Sequence, residues 1–388
     1  MILIINFILF VAPCCLAWTN TPKQERFIRQ PLQPPLFGRS ATTAAIFRLY
    51  NIPPPSESSV IEFTEYASKQ SPPASFYELQ QDCIRATRLA RRDGFKLLEV
   101  EYPPLPANVL EMDDVSTYDV LQANIKLVLD YAKGLLASSS SSSSEKDSEI
   151  KKIAILLPDQ AEADFAIEKI GSNNPYPGIV VTSIREVDPN DLRFIRPEQI
   201  LLGLFGRGSN GAVKALDDVD LYICLSSSAQ ELPDIEELHN IDPSKTIVLF
   251  NLKLDVLRGD LGAPAFPSKD FQDRFLSRVK PVYYLRTRQY SRSTSTPPFL
   301  VNFQGCLFRT YPGQYQTLLD TGNGRYRRVK GNSVRPALGA FKQELIDELI
   351  DQKVLFDEGS TFNFLRTGYK TTTWWEEDRP NSSDDWKT

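Results

Sequence analysis

Between residues 96 and 250 the chain alternates short, nearly continuous apolar runs with segments of helical spacing. Continuous apolar runs are typical of parallel strands buried on both faces, and the helical segments between them supply the covering layers. This pattern predicts an α/β fold with a mostly parallel sheet and helices on both faces. The predicted strands span residues 96–102, 152–157, 178–184, 199–205, 220–225 and 246–250, and helices are predicted at 118–136, 160–170, 210–216 and 233–239.

The periodicity changes after residue 280, where apolar and basic residues alternate. Closely spaced strands joined by glycine and asparagine turns are typical of an antiparallel meander. We expect this C-terminal meander to extend the sheet or to pack beside it, followed by a last amphipathic helix over residues 336–352. The predicted strands of the meander span residues 282–288, 299–303, 305–311, 314–319 and 326–329.

Helix-capping and linker signals define the domain boundaries. Ser75 and Glu78 form a capping box, in which the serine side chain accepts from the third helical amide. The helix that follows is predicted to end at Gly94, which can adopt the left-handed conformation of a helix terminus. We therefore predict a proline-rich linker over residues 57–74, a single α/β domain over 75–377 with a serine-rich loop insertion at 137–149, and a disordered tail over 378–388.

The first 56 residues have the composition of a targeting sequence. Residues 1–16 are apolar but too short to span a bilayer, and small residues precede a predicted signal cleavage between Ala17 and Trp18. Residues 26–56 contain arginine and hydroxylated residues but no acid, which is typical of a transit peptide. We predict a signal peptide over 1–17 and a plastid transit peptide over 18–56. The pair resembles the bipartite plastid leaders of algae with secondary plastids; a plain secreted protein with a disordered N-terminal arm is the alternative.

Composition narrows the possible chemistry. The net charge of -5 is not the footprint of a nucleic-acid-binding protein, and no apolar run after the leader is long enough to span a bilayer. His239 is the only histidine, so a multi-histidine metal site is excluded, and we interpret it as a solvated residue near a helix end. Cys83, Cys224 and Cys306 form no CxxC pair, which indicates buried thiols in a reducing compartment. We expect neither a metal nor a cofactor.

One literal nucleotide-binding motif is present, the segment GRGSNG with Gly206, Gly208 and Gly211. It follows a predicted strand and precedes a predicted helix, which is the context that the dinucleotide fingerprint requires. The predicted helix is short, however, and the next strand ends at Ser226, where a ribose-binding acid should stand. A simple glycine turn is therefore the alternative interpretation.

A second candidate site follows from the predicted sheet. Ligands of open parallel sheets bind beyond the carboxyl ends of the strands. Polar side chains follow three of the predicted strands, and together they would form a small pocket with one basic group for an anion. The alternative is that these residues cap helices and turns. The candidate ligand-binding residues are Asp159, Ser226, Ser228, Asn251, Asp255 and Arg258.

A basic stretch over residues 286–292 interleaves arginine with tyrosine, and residues 325–328 repeat the pattern. Such a surface is able to bind RNA or anionic lipid headgroups. Because the rest of the chain is acidic, we interpret the stretch as the solvated face of a strand, and we expect no nucleic-acid partner.

The chain resembles a family of plastid and cyanobacterial proteins known as domain of unknown function 1995. The resemblance starts with PPASFYELQQDCIRATRLARRDGFKLLEVEYP and continues through KIAILLPD, DLYICLS, VLFNLKLDVLRGDLG and TTTWWEE. The resemblance spans about residues 72–377. Each motif is loose by itself, and the resemblance rests on the order in which the motifs occur. The serine-rich insertion departs from the family pattern.

The resemblance implies a location rather than a reaction. The family includes a plant protein implicated in assembling photosystem II, and no catalytic residues are established that could be carried over. The resemblance therefore implies a non-enzymatic plastid factor, in the stroma or peripheral to the thylakoid, whose partners would be photosystem II subunits or assembly factors. The competing hypothesis is a nucleotide- or anion-binding protein or enzyme that uses the strand ends or GRGSNG.

Overall fold

The computed structural model describes residues 72–105, 109, 115–137, 150–171, 176–186, 212–213, 215–257, 267–294, 297, 299–322, 325–352, 354 and 382–388. The predicted signal and transit peptides, the predicted strand at 199–205 and residues 138–149 of the predicted serine-rich insertion lie outside these residues.

Strands and helices alternate along the first two thirds of the domain. The strands are β1 (Leu97–Glu101), β2 (Ile153–Leu157), β3 (Ile179–Ser183), β4 (Arg185–Glu186), β5 (Ala212–Val213), β6 (Leu221–Leu225), β7 (Thr246–Phe250), β8 (Lys280–Ser293), β9 (Leu300–Thr310), β10 (Tyr315–Asp320) and β11 (Tyr326–Asn332). The helices are α1 (Phe76–Arg92), α2 (Thr117–Ala137), α3 (Gln160–Ile170), α4 (Leu232–Ile241), α5 (Leu254–Leu257), α6 (Lys269–Arg274) and α7 (Leu338–Asp351), with a 3₁₀ turn at Leu276–Arg278.

The described residues form a sheet of nine strands in the order β11-β10-β9-β8-β1-β7-β6-β2-β3 and a separate two-stranded sheet of β4 and β5. The six strands from β8 to β3 in this order are parallel to one another, and β9, β10 and β11 continue the sheet in antiparallel fashion. The predicted α/β class, the mostly parallel sheet, the antiparallel extension and the final helix are therefore confirmed.

Both faces of the sheet are covered. One face packs against α1, α2 and α3 in the largest apolar core. The opposite face carries two smaller cores, one under α4 and α6 around β6 and β7, and one under α7 around β9 and β10. A Cβ atom added at Gly305 of β9 would lie 2.4 Å from the Cδ1 atom of Leu345, so any side chain at that position requires Leu345 or α7 to move.

The start and end of α1 follow the predicted signals. The Glu78 amide donates to the Ser75 hydroxyl at 3.1 Å, and the Glu78 carboxylate accepts from the amide of Ala74 at 2.8 Å rather than from that of Ser75. Gly94, with a φ of 92°, ends the helix in the left-handed region. Local chemistry thus determines where the first element of the fold begins and ends.

Three predictions about individual segments were wrong. His239 is buried rather than solvated, because α4 lies on the sheet with this side chain turned into the packed layer. Burial, and then the charge of Arg278, lower the pKa of His239. The helix predicted at 210–216 is replaced, in its described part, by the short strand β5, which pairs with β4. Residues 382–388 do not form a disordered tail.

The tail is held against the body by one aromatic side chain and by backbone hydrogen bonds. Trp386 is only 4% exposed, and its amide donates to the Ser277 carbonyl at 3.2 Å. The amide of Arg335 donates to the carbonyl of Lys387 at 2.8 Å. A large apolar side chain that removes this much surface from water compensates for the entropy of ordering a short segment. The three cysteines outside the leader are free and buried, as predicted.

Candidate functional site

The loop after β7 has an unusual backbone. Asn251 and Lys253 both have a φ of 53°, a left-handed conformation that is costly for residues other than glycine. Side chains hold the loop in place: the Tyr102 amide donates to Asn251 Oδ1 at 2.9 Å, and Asn251 Nδ2 donates to Asn124 Oδ1 at 2.8 Å. The Lys253 amide donates to Glu101 Oε2 at 3.0 Å. These contacts fix the position of the nearby Asp255.

Asp255 is the centre of a buried ionic cluster. Its side chain is 6% exposed, and its two carboxylate oxygens accept from the Tyr284 hydroxyl and from the guanidinium of Arg335. Arg288 Nη2 lies 3.0 Å from Asp255 Oδ2, and Arg286 Nη1 lies 3.4 Å from the same oxygen. One carboxylate therefore interacts with three arginines and one phenol, and we call this group of side chains the Asp255 centre.

Strand geometry explains why the arginines meet there. Glu101, the last residue of β1, is in register with Tyr284 of β8, and β8 continues beyond that point. Because side chains alternate along a strand, Tyr284, Arg286 and Arg288 share one face. Tyr284 lies level with the carboxyl end of β1, and Arg286 and Arg288 lie past it, at the edge where open parallel sheets bind ligands. Arg335 reaches the same place from the segment that precedes α7, with its guanidinium 4.5 Å from the ring centre of Tyr284.

Two further carboxylates belong to this environment. Glu99 and Glu101 are buried on β1 and act electrostatically on Arg335 and Arg286 respectively. Burial, and then the nearby Glu99 charge, raise the pKa of Glu101 to about 7, although Arg286 opposes the shift. With both glutamates ionised the three arginines are balanced in charge, and protonation of Glu101 leaves one positive charge in excess.

The Asp255 centre has more hydrogen-bond donors than acceptors. Each guanidinium carries five N–H groups, whereas one carboxylate has about four acceptor positions. Among the described residues the buried atoms Arg286 Nη1, Arg288 Nε and Arg335 Nη1 have no hydrogen-bond partner. A buried donor without an acceptor costs about 1–3 kcal/mol, and more when the group is charged. Such atoms indicate a place where an ion or water is expected.

A small cavity of about 20 Å³ adjoins the centre. Its lining combines charged with apolar side chains, and one of the apolar ones, Leu338, is 37% exposed. The lining residues are Asp255, Arg288, Leu307, Arg335, Pro336, Leu338 and Phe341.

The structure brings together only part of the predicted strand-end pocket. Asn251 lies in the anchored loop after β7, and Asp255 lies in the short helix α5 that follows it directly. Asp159 instead caps α3, where its Oδ1 atom accepts from the Glu162 amide at 2.8 Å, and the Ser228 hydroxyl donates to Glu231 Oε2 at 2.7 Å. These two residues have the capping roles of the alternative interpretation.

The remaining candidates are not placed at the Asp255 centre. Ser226 follows β6 directly, with a φ of 59°, and no described contact joins its side chain to Asp255. The other four candidates, Arg258, Gly206, Gly208 and Gly211, lie outside the described residues. Ligand binding at any of these positions stays a prediction.

The interpretation of residues 286–292 as a solvated face was wrong for its first two arginines. The side chains of Arg286 and Arg288 are 22% and 20% exposed, because Asp255 and α7 cover that end of β8. A signal was present in β1, where Glu99 and Glu101 alternate with apolar residues on a buried strand. Buried acids of this kind require buried partners. Nothing local in the sequence points to Arg335 as one of them.

Two features are absent from the described part of the chain. Among its helices none is long and apolar enough to cross a membrane. Within the same residues no three histidine, cysteine or acidic side chains are grouped as a metal site would require.

The fold defines an α/β protein with a doubly covered, mostly parallel sheet and a buried arginine–carboxylate centre at the ends of its middle strands. The profile of one family, described as a domain of unknown function (DUF1995), matches residues 73–343. This match covers well over half of the chain, and the protein belongs to that family. No curated protein and no solved structure gives a significant match.

Proposed function

We propose that this protein is a non-enzymatic plastid factor that acts in the assembly or maintenance of photosystem II. The observation that carries the proposal is its membership of the DUF1995 family over residues 73–343. The family resemblance implies a role in photosystem biogenesis and does not imply a reaction. The composition of residues 1–56 supports a plastid destination independently, because it comes from a separate stretch of the chain.

The proposed location is the stroma or the stromal periphery of the thylakoid. The leader has the two-part composition expected for import into a plastid bounded by additional membranes. At such a location the partners are photosystem II subunits or other assembly factors.

One exposed element is suited to contact such a partner. The β8–β9 hairpin projects beyond the sheet, because β10 pairs with β9 only over residues 305–308 and β1 pairs with β8 only up to Tyr284. Near its tip Phe299 and Leu300 are 66% and 54% exposed. Adjacent exposed apolar side chains on a projecting element are typical of protein interaction sites.

Affinity purification from thylakoids of cells that express a tagged full-length chain tests the proposal. We expect photosystem II subunits to be enriched over photosystem I subunits. A double substitution of Phe299→Ser and Leu300→Ser should reduce the recovery. Ile241→Ser serves as the matched control, since Ile241 is also an exposed apolar residue, 51% exposed, but lies on α4.

The outcomes separate the two parts of the proposal. Recovery that is lost in the hairpin variant and retained in the Ile241 variant supports both the partner and the surface. Equal recovery from all three proteins rejects the hairpin as the contact. Absence of photosystem II subunits from the wild-type purification, with the protein itself in the plastid, rejects the function.

A further inference from the structure

We infer that the cavity beside Arg288 and Arg335 binds the carboxylate group of a small amphipathic organic acid. This inference does not depend on the role in photosystem II, because it rests on the geometry of the Asp255 centre alone. The ligand class is an aliphatic or aromatic monocarboxylate, with its charged group at the arginines and its apolar part towards Leu338.

The cavity has a surplus of hydrogen-bond donors. Arg288 and Arg335 both line it, and each has a buried nitrogen without an acceptor among the described residues, Nε in Arg288 and Nη1 in Arg335. Arg335 is held rigidly, with its side chain 5% exposed and its guanidinium stacked near Tyr284. A carboxylate is the natural acceptor for preorganised guanidinium groups, since its two oxygens match their planar array of N–H groups.

Asp255 does not repel such a ligand as an isolated acid would. Its oxygens already accept from Tyr284, Arg288 and Arg335, and Arg286 lies within ion-pair distance. The aspartate therefore orients the arginines while they neutralise its charge. A second carboxylate adds the acceptors that Asp255 alone cannot supply.

Size and lining select the class of anion. A cavity of about 20 Å³ has room for a group slightly larger than one water molecule, so only the head of a ligand fits inside. The lining residues other than Asp255 and the two arginines form an apolar wall of Leu307, Pro336, Leu338 and Phe341. Inorganic phosphate would lose its hydration against this wall without compensation. A carboxylate that carries an apolar chain gains contacts there, and the chain leaves the cavity at Leu338.

Binding of an anion is coupled to protonation of Glu101. Glu101 faces Arg286 on β8, the Lys253 amide in the loop after β7, Asp255 in α5, and Glu99 on its own strand. When Glu101 takes up a proton, the cluster gains a net positive charge, and an added anion restores the balance. Because the pKa of Glu101 is about 7, carboxylate affinity should rise as the pH falls from 8 to 6.

Thermal shift and titration calorimetry on the full chain test this inference with four probes: octanoate, acetate, inorganic phosphate and octanol. A ligand that binds only the native state raises the melting temperature. We expect octanoate to bind, acetate to bind more weakly, and phosphate and octanol to have no saturable effect. Equal binding of octanol and octanoate, or tighter binding of phosphate than of octanoate, overturns the assignment, as does the absence of any octanoate binding.

Two substitutions and one control locate the site. Arg288→Met should weaken octanoate binding about tenfold or more, since it removes a charged hydrogen-bond donor. Leu338→Ser, at a partly exposed position where folding is not at risk, should weaken octanoate but leave acetate unchanged. Arg274→Met, an exposed arginine paired with Glu236 and Asp270, is the matched control and should bind as wild type does. Wild-type affinity for octanoate in both Arg288→Met and Leu338→Ser overturns the proposed site.

The pH dependence supplies an independent readout. Wild-type affinity for octanoate should be several-fold higher at pH 6 than at pH 8, and Glu101→Gln should flatten this dependence. Lys280 also has a pKa of about 7, lowered by burial and then by Arg309, and it contributes equally in both proteins. An unchanged slope in Glu101→Gln overturns the coupling to Glu101.

Discussion

Arg335 forms a buried ion pair with Asp255, a residue 80 positions earlier in the chain. The pair joins the segment that leads into α7 to the short helix α5 after β7, across the face of β8. Because the Arg335 amide also donates to Lys387, this one residue ties the tail, the last helix and the strand-end loop together. The ion pair thus adds a polar link between the two apolar cores on this face of the continuous sheet.

Removing the charge of Asp255 should destabilise the protein strongly. In Asp255→Asn three arginines lose their shared counter-charge in a buried site, which costs about 3–5 kcal/mol of unfolding free energy. Urea denaturation followed by circular dichroism measures the loss. Asp218→Asn is the matched control: Asp218 pairs with Lys152 but is 72% exposed, so its loss should leave the unfolding free energy close to that of wild type. Similar costs in the two variants would contradict the buried centre.

Glu101 should make the protein less stable as the pH rises from 4.5 to 7. The pKa of Glu101 is about 7 in the folded state against an ordinary value of 4.5, so the folded state binds more protons within this window. Unfolding free energy therefore falls with pH there, by on the order of 3 kcal/mol from this group. Glu101→Gln should remove that component.

The measurement is the difference in unfolding free energy between wild type and Glu101→Gln at several pH values. His239, whose pKa is lowered, acts in the opposite direction but is common to both proteins. The difference should change by about 3 kcal/mol between pH 4.5 and 7.5 in favour of the variant. A difference that stays constant across the window would show that the carboxyl group is not buried as described.

The close approach of α7 to the sheet at Gly305 predicts a coupled pair of substitutions. Gly305→Ala forces the Leu345 side chain or α7 to move, which should cost about 1–3 kcal/mol. Leu345→Ala alone leaves a cavity in the core under α7 and should cost about 2–5 kcal/mol.

In the double variant the new methyl group fills part of the space that Leu345 vacates, so its cost should be smaller than the sum of the single costs. Chemical denaturation of the four proteins measures this coupling. Strictly additive costs would contradict the contact between Gly305 and Leu345.

Trp386 should be required for the stability of the antiparallel half. Trp386→Ala removes a buried aromatic side chain that packs 5.9 Å from the guanidinium of Arg335, and it should cost about 3 kcal/mol. Hydrogen exchange should then increase in α7 before it increases in the parallel strands. Unchanged protection of α7 would mean that the tail is dispensable.

The parallel strands were predictable because each is buried on both faces and therefore shows a continuous apolar run. The position of Asn251 and Asp255 near the carboxyl ends of the strands was also predictable, since the rule that ligands bind at the carboxyl ends of parallel strands needs only the strand boundaries. The arginines that complete the centre were not found. Arg288 lies in a stretch where apolar and basic residues alternate, which is the pattern of a strand with one solvent-exposed face. Its burial depends on α7, which follows much later in the chain.

The tail and β5 were missed for a related reason. Residues 382–388 are polar apart from Trp386, so composition favours disorder, whereas the structure shows contacts of this segment with Ser277 and Arg335. The strand β5 has two residues and exists because β4 lies beside it. Long-range contacts of this kind leave no periodic trace in the sequence.

The most direct test of the proposed function is the level of photosystem II in plastid-bearing cells that lack this protein. Immunoblots should show photosystem II core subunits reduced several-fold relative to photosystem I subunits. The full chain should restore them, and a chain without residues 1–56 should not. Normal photosystem II levels in the absence of the protein, both at steady state and during recovery from photodamage, would contradict the account.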